Sequence, residues 1–346
     1  MKNYFEIFSA ADREMIHSAM LEFLLNETFF RESLFPGVNF PIRPDFRREM
    51  VMPGRLRSDL VILDGDNPIL YLENKFKSFP TQKQLADYDK HIGKNTAKYL
   101  LVFNTAALGD CLEDNRGWKV LTYGDVKAAL EEFLGQNQAL EQRRRILLEE
   151  YAAYLGKYIN LYNEVMAAPR LLDDLKKEHD YNMFRRLFLG NIAASQQKRI
   201  PGLVVSANSG GATEPLLDLY PPDWNQIPYK ESDKPNEKNK WPKIFMQLQG
   251  DKIKFYLRWR EAGSAKKKDL DPKLVKAILG YVSRLEGLQG IDLKKMESRM
   301  ASKNASCTIC ERPFELTDNM EDSVKQVLDF YRQLDAAVKK CGLFPG

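Results

Sequence analysis

Short apolar runs separated by turn signals predict strands interleaved with helices in the first half of the chain. The runs 57–63 (RSDLVIL) and 69–75 (ILYLENK) have the length and apolar character of strands. The turn formers of 64–68 (DGDNP) lie between them, so we expect an antiparallel hairpin. Further strands are predicted over 46–52, 99–103 and 118–123, and helices over 81–92, 125–134 and 138–166.

The second half has a different pattern, with short strands first and helices last. Strands are predicted over 203–206 and 214–219, and a hairpin over 243–260 turns at Gly250-Asp251. Helices are predicted over 272–285 and 321–339. At roughly 150 residues per domain, 346 residues suggest two domains, which we place at 1–168 and 169–346. The predicted fold class is α/β (α+β), with a C-terminal α+β domain.

Composition excludes several classes of protein. Apolar residues make up 44% of the chain and charged residues 29%, which excludes wholesale disorder. Four cysteines are too few for a disulfide scaffold. The N-terminal segment has no apolar signal core, and no run approaches the length of a membrane span. We therefore expect a cytoplasmic protein without a membrane partner.

The predicted hairpin brings two carboxylates and one ammonium together. Side chains alternate along a strand, so Glu73 and Lys75 lie on the same face, and the turn returns Asp59 beside them. Asp59, Glu73 and the backbone carbonyl of Asn74 are oxygen ligands of the kind that suits Mg²⁺. Lys75 could position a water molecule or offset negative charge on a phosphate.

The alternative is an exposed strand with an ordinary surface Glu–Lys pair, because a Glu-x-Lys sequence is common. The apolar neighbours argue against it: Glu73 and Lys75 end one apolar run, and Asp59 opens another. Charges at the end of buried strands are costly unless they are paired or bind a metal.

The order of motifs resembles the PD-(D/E)XK nuclease superfamily. The pattern is Arg57-Ser58-Asp59, then Glu73-Asn74-Lys75, then Gln84-Leu85-x-x-Tyr88, with Glu14-x-x-His17-Ser18 upstream. It is most similar to the bacterial stand-alone branch with D…ExK…QLxxY, over roughly residues 10 to 130. One departure is Ser58, where the family name has proline.

The resemblance implies a restriction-endonuclease-like mixed sheet flanked by helices and Mg²⁺-dependent DNA cleavage, with Mn²⁺ able to substitute. It places Gln84 at the active site and Glu14 near the metal as an outer carboxylate. It also suggests a role in phage defence or mobile-element biology. The residues alone leave Gln84 open, because Thr81 and Gln84 also fit a helix capping box.

A basic segment in the second half is a candidate nucleic-acid surface. Residues 226–268 hold 12 Lys and Arg against five Asp and Glu, a charge of +7 within a chain of net +4. Alternation in the 243–260 hairpin gives one apolar and one basic face, with Phe245 opposite Tyr256 and Lys243 opposite Arg258. The predicted nucleic-acid contacts are Lys243, Phe245, Lys254, Tyr256 and Arg258, together with Arg57 in the first half. An ordinary half-exposed sheet would show the same pattern.

The sequence therefore predicts a metal-dependent deoxyribonuclease that uses Asp59, Glu73 and Lys75, with DNA as its partner. The alternatives are a non-cleaving nucleic-acid-binding protein and a protein-interaction module on the same fold. The sequence also leaves open whether the protein forms a homo-oligomer or has a protein partner. Cys307-x-x-Cys310 has no second ligand pair nearby, so we expect free thiols rather than a zinc site. We expect the tyrosines at 151, 154, 158 and 162 to form a seam between domains.

Overall fold

The computed structural model divides the chain into two compact units, Met1–Glu164 and Val165–Gly346. It describes residues 5, 14–76, 80, 82–105, 108, 117–178, 180–208, 215–225, 243–259, 272–285, 287–301 and 306–341. Within this part of the chain, no helix is both long enough and apolar enough to cross a membrane.

The first unit is a mixed α/β structure. Its elements are, in order, α1 (Glu14–Leu25), α2 (Thr28–Leu34), β1 (Asp45–Val51), β2 (Arg57–Asp64), β3 (Asn67–Lys75), α3 (Gln82–Asp89), β4 (Ala97–Val102), β5 (Lys119–Thr122), α4 (Tyr123–Gln136) and α5 (Gln142–Ala167, which runs past the end of the unit). Thr122 and Asp125 form a reciprocal capping box that begins α4 directly after β5.

The sheet of the first unit has the strand order β1-β2-β3-β4-β5 among the described residues. β1, β2 and β3 pair antiparallel, whereas β3–β4 and β4–β5 are parallel, so the sheet is mixed. The β2–β3 turn has Gly65 at φ +58°, in the left-handed region that glycine adopts without strain. Leu60–Leu63 and Leu70–Leu72 are buried, so Asp59, which precedes the first run, and Glu73, which follows the second, lie at the same end of two buried antiparallel strands.

The second unit is also α+β. Its elements are α6 (Leu171–Leu175), α7 (Tyr181–Arg199), β6 (Val204–Asn208), β7 (Leu216–Tyr220), β8 (Lys243–Gln249), β9 (Lys252–Arg258), α8 (Pro272–Val282), α9 (Leu293–Ala301), β10 (Ser306–Pro313) and α10 (Met320–Lys340). The strands that are described form an antiparallel sheet in the order β10-β9-β8-β7-β6. The fold class predicted from the sequence is confirmed for both halves.

The β8–β9 hairpin has the predicted turn and register. Gly250 takes φ +56°, and Gln249 pairs with Lys252 across a two-residue loop. On β9, Ile253, Phe255 and Leu257 are fully buried, and they alternate with more exposed residues. One face of the hairpin therefore belongs to the core of the second unit.

Helix α9 and strand β10 were not predicted from the sequence. Cys307 and Cys310 lie on β10, and both are buried free thiols. Side chains three positions apart on a regular strand lie on opposite faces. The break in register between Thr308 and Cys310 lets the side chains of Cys307 and Cys310 both be buried. Cys111 lies outside the described residues.

Burial raises the pKa of Cys307 to about 11 and that of Cys310 to about 12. At about pH 8 the fraction of either thiol that is deprotonated to the reactive thiolate is therefore on the order of a thousandth or less. In an unfolded chain that fraction is roughly a quarter. We expect iodoacetamide to label both thiols far more slowly in the native protein than in urea, as measured by mass spectrometry. Half-buried Cys341 is the internal control. Equal labelling rates in the native and unfolded chain would contradict the burial.

Candidate active site

Asp59 and Glu73 meet at one end of the β2–β3 hairpin. Leu60 pairs with Leu72, so Asp59 and Glu73 are the next residues beyond this pair on each strand. The Oδ2 atom of Asp59 accepts a hydrogen bond of 2.7 Å from the backbone N–H of Asn74. A backbone donor from β3 thus fixes the carboxylate of β2 beside Glu73.

Glu73 is held by two donors from different elements. Its Oε1 atom accepts from Nζ of Lys75 at 2.6 Å and from Nε2 of Gln84 at 2.7 Å. Glu73 and Lys75 are 2% and 8% exposed, so the ion pair is buried. The sequence interpretation as an exposed surface pair is therefore wrong, because the strand end lies inside the unit.

Gln84 has a definite position in this arrangement. It lies on α3, and its amide reaches across to the carboxylate of Glu73 on β3. Thr81, its partner in the alternative capping box, lies outside the described residues. The described contact places Gln84 beside Glu73, and its place in an active site stays a prediction.

Tyr88 closes the same cluster from α3. Its hydroxyl donates to the backbone carbonyl of Arg57, two residues before Asp59 on β2. Burial raises the pKa of Tyr88 well above its ordinary value, and the negative charges of Glu73 and Asp59 raise it further. Tyr88 thus remains protonated and ties α3 to the strand that carries Asp59.

The side chain of Asn74 points away from the carboxylates, as alternation along β3 requires. Its Nδ2 donates to Oγ of Ser18 at 3.1 Å, and its Oδ1 accepts from the hydroxyl of Tyr123 at 2.7 Å. Asn74 is fully buried, so this amide links β3 to α1 and α4. Only the backbone carbonyl of Asn74 is left as a candidate metal ligand, as the sequence reasoning assumed.

His17 lies beneath the site as a packing residue. Its ring stacks on Phe76 at 3.8 Å between centroids, and Nδ1 is 3.0 Å from the hydroxyl of Tyr151. Tyr154 and Tyr158 also contact Phe76. The described ring contacts of these tyrosines lie within the first unit and support β3, and the seam between domains stays a prediction.

Glu14 begins α1, but its side chain lies outside the part that the structure describes. Among the side chains that are described, no group of three or more His, Cys, Asp or Glu residues converges as a metal site. Asp59 and Glu73 are the paired carboxylates of this cluster. Two carboxylates match the coordination of Mg²⁺, which binds one or two protein carboxylates and keeps several water ligands.

The basic face of the β8–β9 hairpin is less open than the sequence suggested. Lys243 pairs with Arg258 and Phe245 with Tyr256, as predicted. Phe245, however, is fully buried: the Tyr220 ring stacks on it at 4.8 Å and the Arg258 guanidinium lies 4.9 Å from its centroid. The prediction that Phe245 offers its ring to a base is wrong, because neighbouring side chains occupy that position.

The residue that sequence reasoning missed is Asp218 on β7. It is 1% exposed and accepts from Gln247 at 2.8 Å, and Arg258 lies 3.5 Å away. Burial raises the pKa of Asp218, and the hydrogen bonds and the charge of Arg258 oppose the shift. A lone Asp within the apolar run LLDLY was the available signal. Arg258 is thus committed to an internal ion pair, which withdraws it from the predicted nucleic-acid surface.

The hydrogen bonds of the Asn74 amide, which hold β3 to α1 and α4 beneath the site, can be tested by their effect on stability. Asn74→Ala removes the acceptor for Tyr123 and the donor to Ser18, so we expect the free energy of unfolding to fall by about 1–3 kcal/mol. Asn67→Ala, at the exposed start of the same strand, should change it by less than about 0.5 kcal/mol. Urea unfolding measures both. Equal values for the two variants would contradict the proposed support.

Comparison with known proteins agrees with this geometry. Neither the curated proteins nor the solved structures give a significant match to the chain. Residues 44–153 match the family model of the PD-(D/E)XK nuclease superfamily. This segment begins at β1, extends into α5 and contains Asp59, Glu73, Lys75 and Gln84. Over residues 44–153, which make up less than half of its length, the chain is therefore similar to the PD-(D/E)XK nuclease superfamily.

Proposed function

We propose that the first unit is a divalent-metal-dependent nuclease that hydrolyses the phosphodiester bonds of DNA. The observation that carries the proposal is the convergence of Asp59, Glu73 and Lys75 at one end of the β2–β3 hairpin, with Gln84 bound to Glu73. Members of the superfamily are generally hydrolytic nucleases and typically use divalent metals.

The donor set fits Mg²⁺. Asp59 and Glu73 supply carboxylate oxygens, and the Asn74 carbonyl is a third candidate, while no nitrogen or sulfur ligand lies among their described contacts. Hard oxygen ligands favour Mg²⁺ or Mn²⁺ over softer metals. When bound, the ion would lower the pKa of a water molecule and offset negative charge on the phosphate.

Lys75 is the residue proposed to act on the reacting atoms. Its ammonium is buried and lies 2.6 Å from Glu73, directly beside the paired carboxylates. There it can orient the attacking water and stabilise the charge that develops on the phosphate. The water supplies a hydroxyl group to phosphorus and a proton to the leaving oxygen, so no covalent enzyme intermediate is needed.

Gln84 and the backbone N–H of Asn74 act as positioning groups. Gln84 fixes one oxygen of Glu73, and the N–H of Asn74 fixes one oxygen of Asp59. Carboxylates held in this way need little reorganisation when a substrate arrives, which is the main benefit of a preorganised site.

Arg57 is placed to attract the substrate. It lies two residues before Asp59 on β2, on the same face, and its side chain is 67% exposed. Its partner Glu49 lies 3.6 Å away and is itself exposed, so the pair is weak in water. An exposed cation here would favour the approach of a phosphate backbone to the buried carboxylates.

The test is a cleavage assay on plasmid DNA, linear DNA and RNA, with Mg²⁺, with Mn²⁺ and with chelator. We expect cutting of DNA only with metal, and a loss of about a hundredfold or more in Glu73→Gln and Lys75→Met, since each removes a charge needed in the transition state. Lys90→Met, an exposed lysine just after α3, is the matched control and should cut like the wild type.

Three results would count against this proposal. Cutting that survives chelation would remove the metal from the mechanism, and cutting that survives both Glu73→Gln and Lys75→Met would place the active site elsewhere. No cutting of any nucleic acid would favour a binding protein on the same fold.

A further inference from the structure

A groove in the second unit lies between the sheet and helix α9. It has a volume of about 450 Å³ and is lined by residues of β9, of β10 and of α9 with the segment before it. On β9 the lining residues are Lys252, Lys254 and Tyr256, and on α9 they include Lys295 and Arg299. This groove is separate from the residues proposed for hydrolysis, which all belong to the first unit.

The cations line the groove on two sides, one formed by strand β9 and the other by helix α9. On β9, Lys252, Lys254 and Tyr256 alternate with the buried core residues, so they share the outer face of the strand. On α9, Met296 and Met300 are buried, whereas Lys295 and Arg299 are exposed and lie one turn apart. Each wall of the groove thus supplies two positive charges.

The carboxylates of the groove do not cancel this charge. Glu311 accepts a hydrogen bond from Nζ of Lys252, and Oδ1 of Asp292 accepts from the backbone N–H of Lys295 at 2.9 Å, where it caps the start of α9. Four cationic side chains line the groove against these two carboxylates, so the lining carries a net positive charge.

An aromatic ring completes the lining. Tyr256 is half-buried and is held by Phe245, at 5.2 Å between ring centroids, and by the hydroxyl of Ser306, which donates to its oxygen at 3.3 Å. The buried Phe245 thus supports Tyr256 instead of contacting a ligand itself. Cations combined with a supported aromatic ring are typical of sites that bind single-stranded nucleic acid, with phosphates on the cations and a base on the ring.

We infer that the groove between β9 and α9 binds a single strand of nucleic acid, with its phosphates on Lys254, Lys295 and Arg299 and a base on Tyr256. The inference rests on the proposed function to the extent that a nuclease must also bind its nucleic-acid substrate. It replaces the predicted contacts at Phe245 and Arg258 with residues of α9, which the sequence pattern did not single out.

The test measures binding without cleavage, in the full-length chain carrying Lys75→Met. Fluorescence anisotropy with a labelled single-stranded DNA and its duplex gives the affinity, in chelator and in Mg²⁺, over a range of salt concentrations. With Lys295→Glu and Arg299→Glu together, we expect at least about tenfold weaker single-strand binding, and a salt slope smaller by about 1.4, the value for two lost phosphate contacts.

The matched control reverses the same number of charges outside the groove. Lys276 on α8 and Lys294 on α9 are exposed and do not line it, so Lys276→Glu with Lys294→Glu should bind within about twofold of the parent. Thermal unfolding checks that both double variants fold, and the milder Lys295→Gln with Arg299→Gln should lose affinity in the same direction.

If the groove and control variants lost equal affinity for the single strand, the proposed binding groove would be overturned. Only a general effect of net charge on binding would then remain. Absence of binding by the parent in both chelator and Mg²⁺ would also overturn it, and so would a preference for the duplex. The cleavage assay is read separately. If Lys75 proves dispensable for cutting, the proposed active site fails while the binding result for the groove still stands.

Discussion

The buried carboxylate of Glu73 is the constraint on which the arrangement of the first unit depends. A charge that is 2% exposed costs several kcal/mol unless donors replace the lost water. Those donors come from Lys75 on the same strand and from Gln84 on α3. The sheet must therefore place β3 against α3 correctly, and Tyr88 on α3 reaches back to β2. A fold that brings these donors to Glu73 has by the same contacts assembled the proposed catalytic cluster.

Local signals in the sequence were sufficient for this site because its geometry is set by one hairpin. Alternation put Glu73 and Lys75 on one face, and the turn at 64–68 fixed the register that brings Asp59 alongside. Asn74 was different: its anchors Ser18 and Tyr123 are 56 and 49 residues away, and no local pattern indicates such contacts. The sequence thus located the charged groups but not the supports that hold them.

The second unit shows where local reasoning stops. The β8–β9 hairpin was predicted with its register, yet the exposure of its polar face was decided by β7, which brings Asp218 and Tyr220 beside Phe245 and Arg258. A two-strand pattern carries no information about a third strand. The missed α9 then determines where cations remain accessible, on the β10 side of the sheet.

The two units place lysines in opposite environments, and the chemistry explains the difference. Lys75 is buried against Glu73, where a low local dielectric would strengthen its proposed effect on a reacting phosphate and few substrate positions would be tolerated. Lys295 is exposed, where its attraction to phosphate is weaker, depends on salt and tolerates any sequence. Hydrolysis needs the first environment and holding a strand needs the second. One surface cannot be both dry and open, so a chain that does both benefits from dividing these roles between separate sheets.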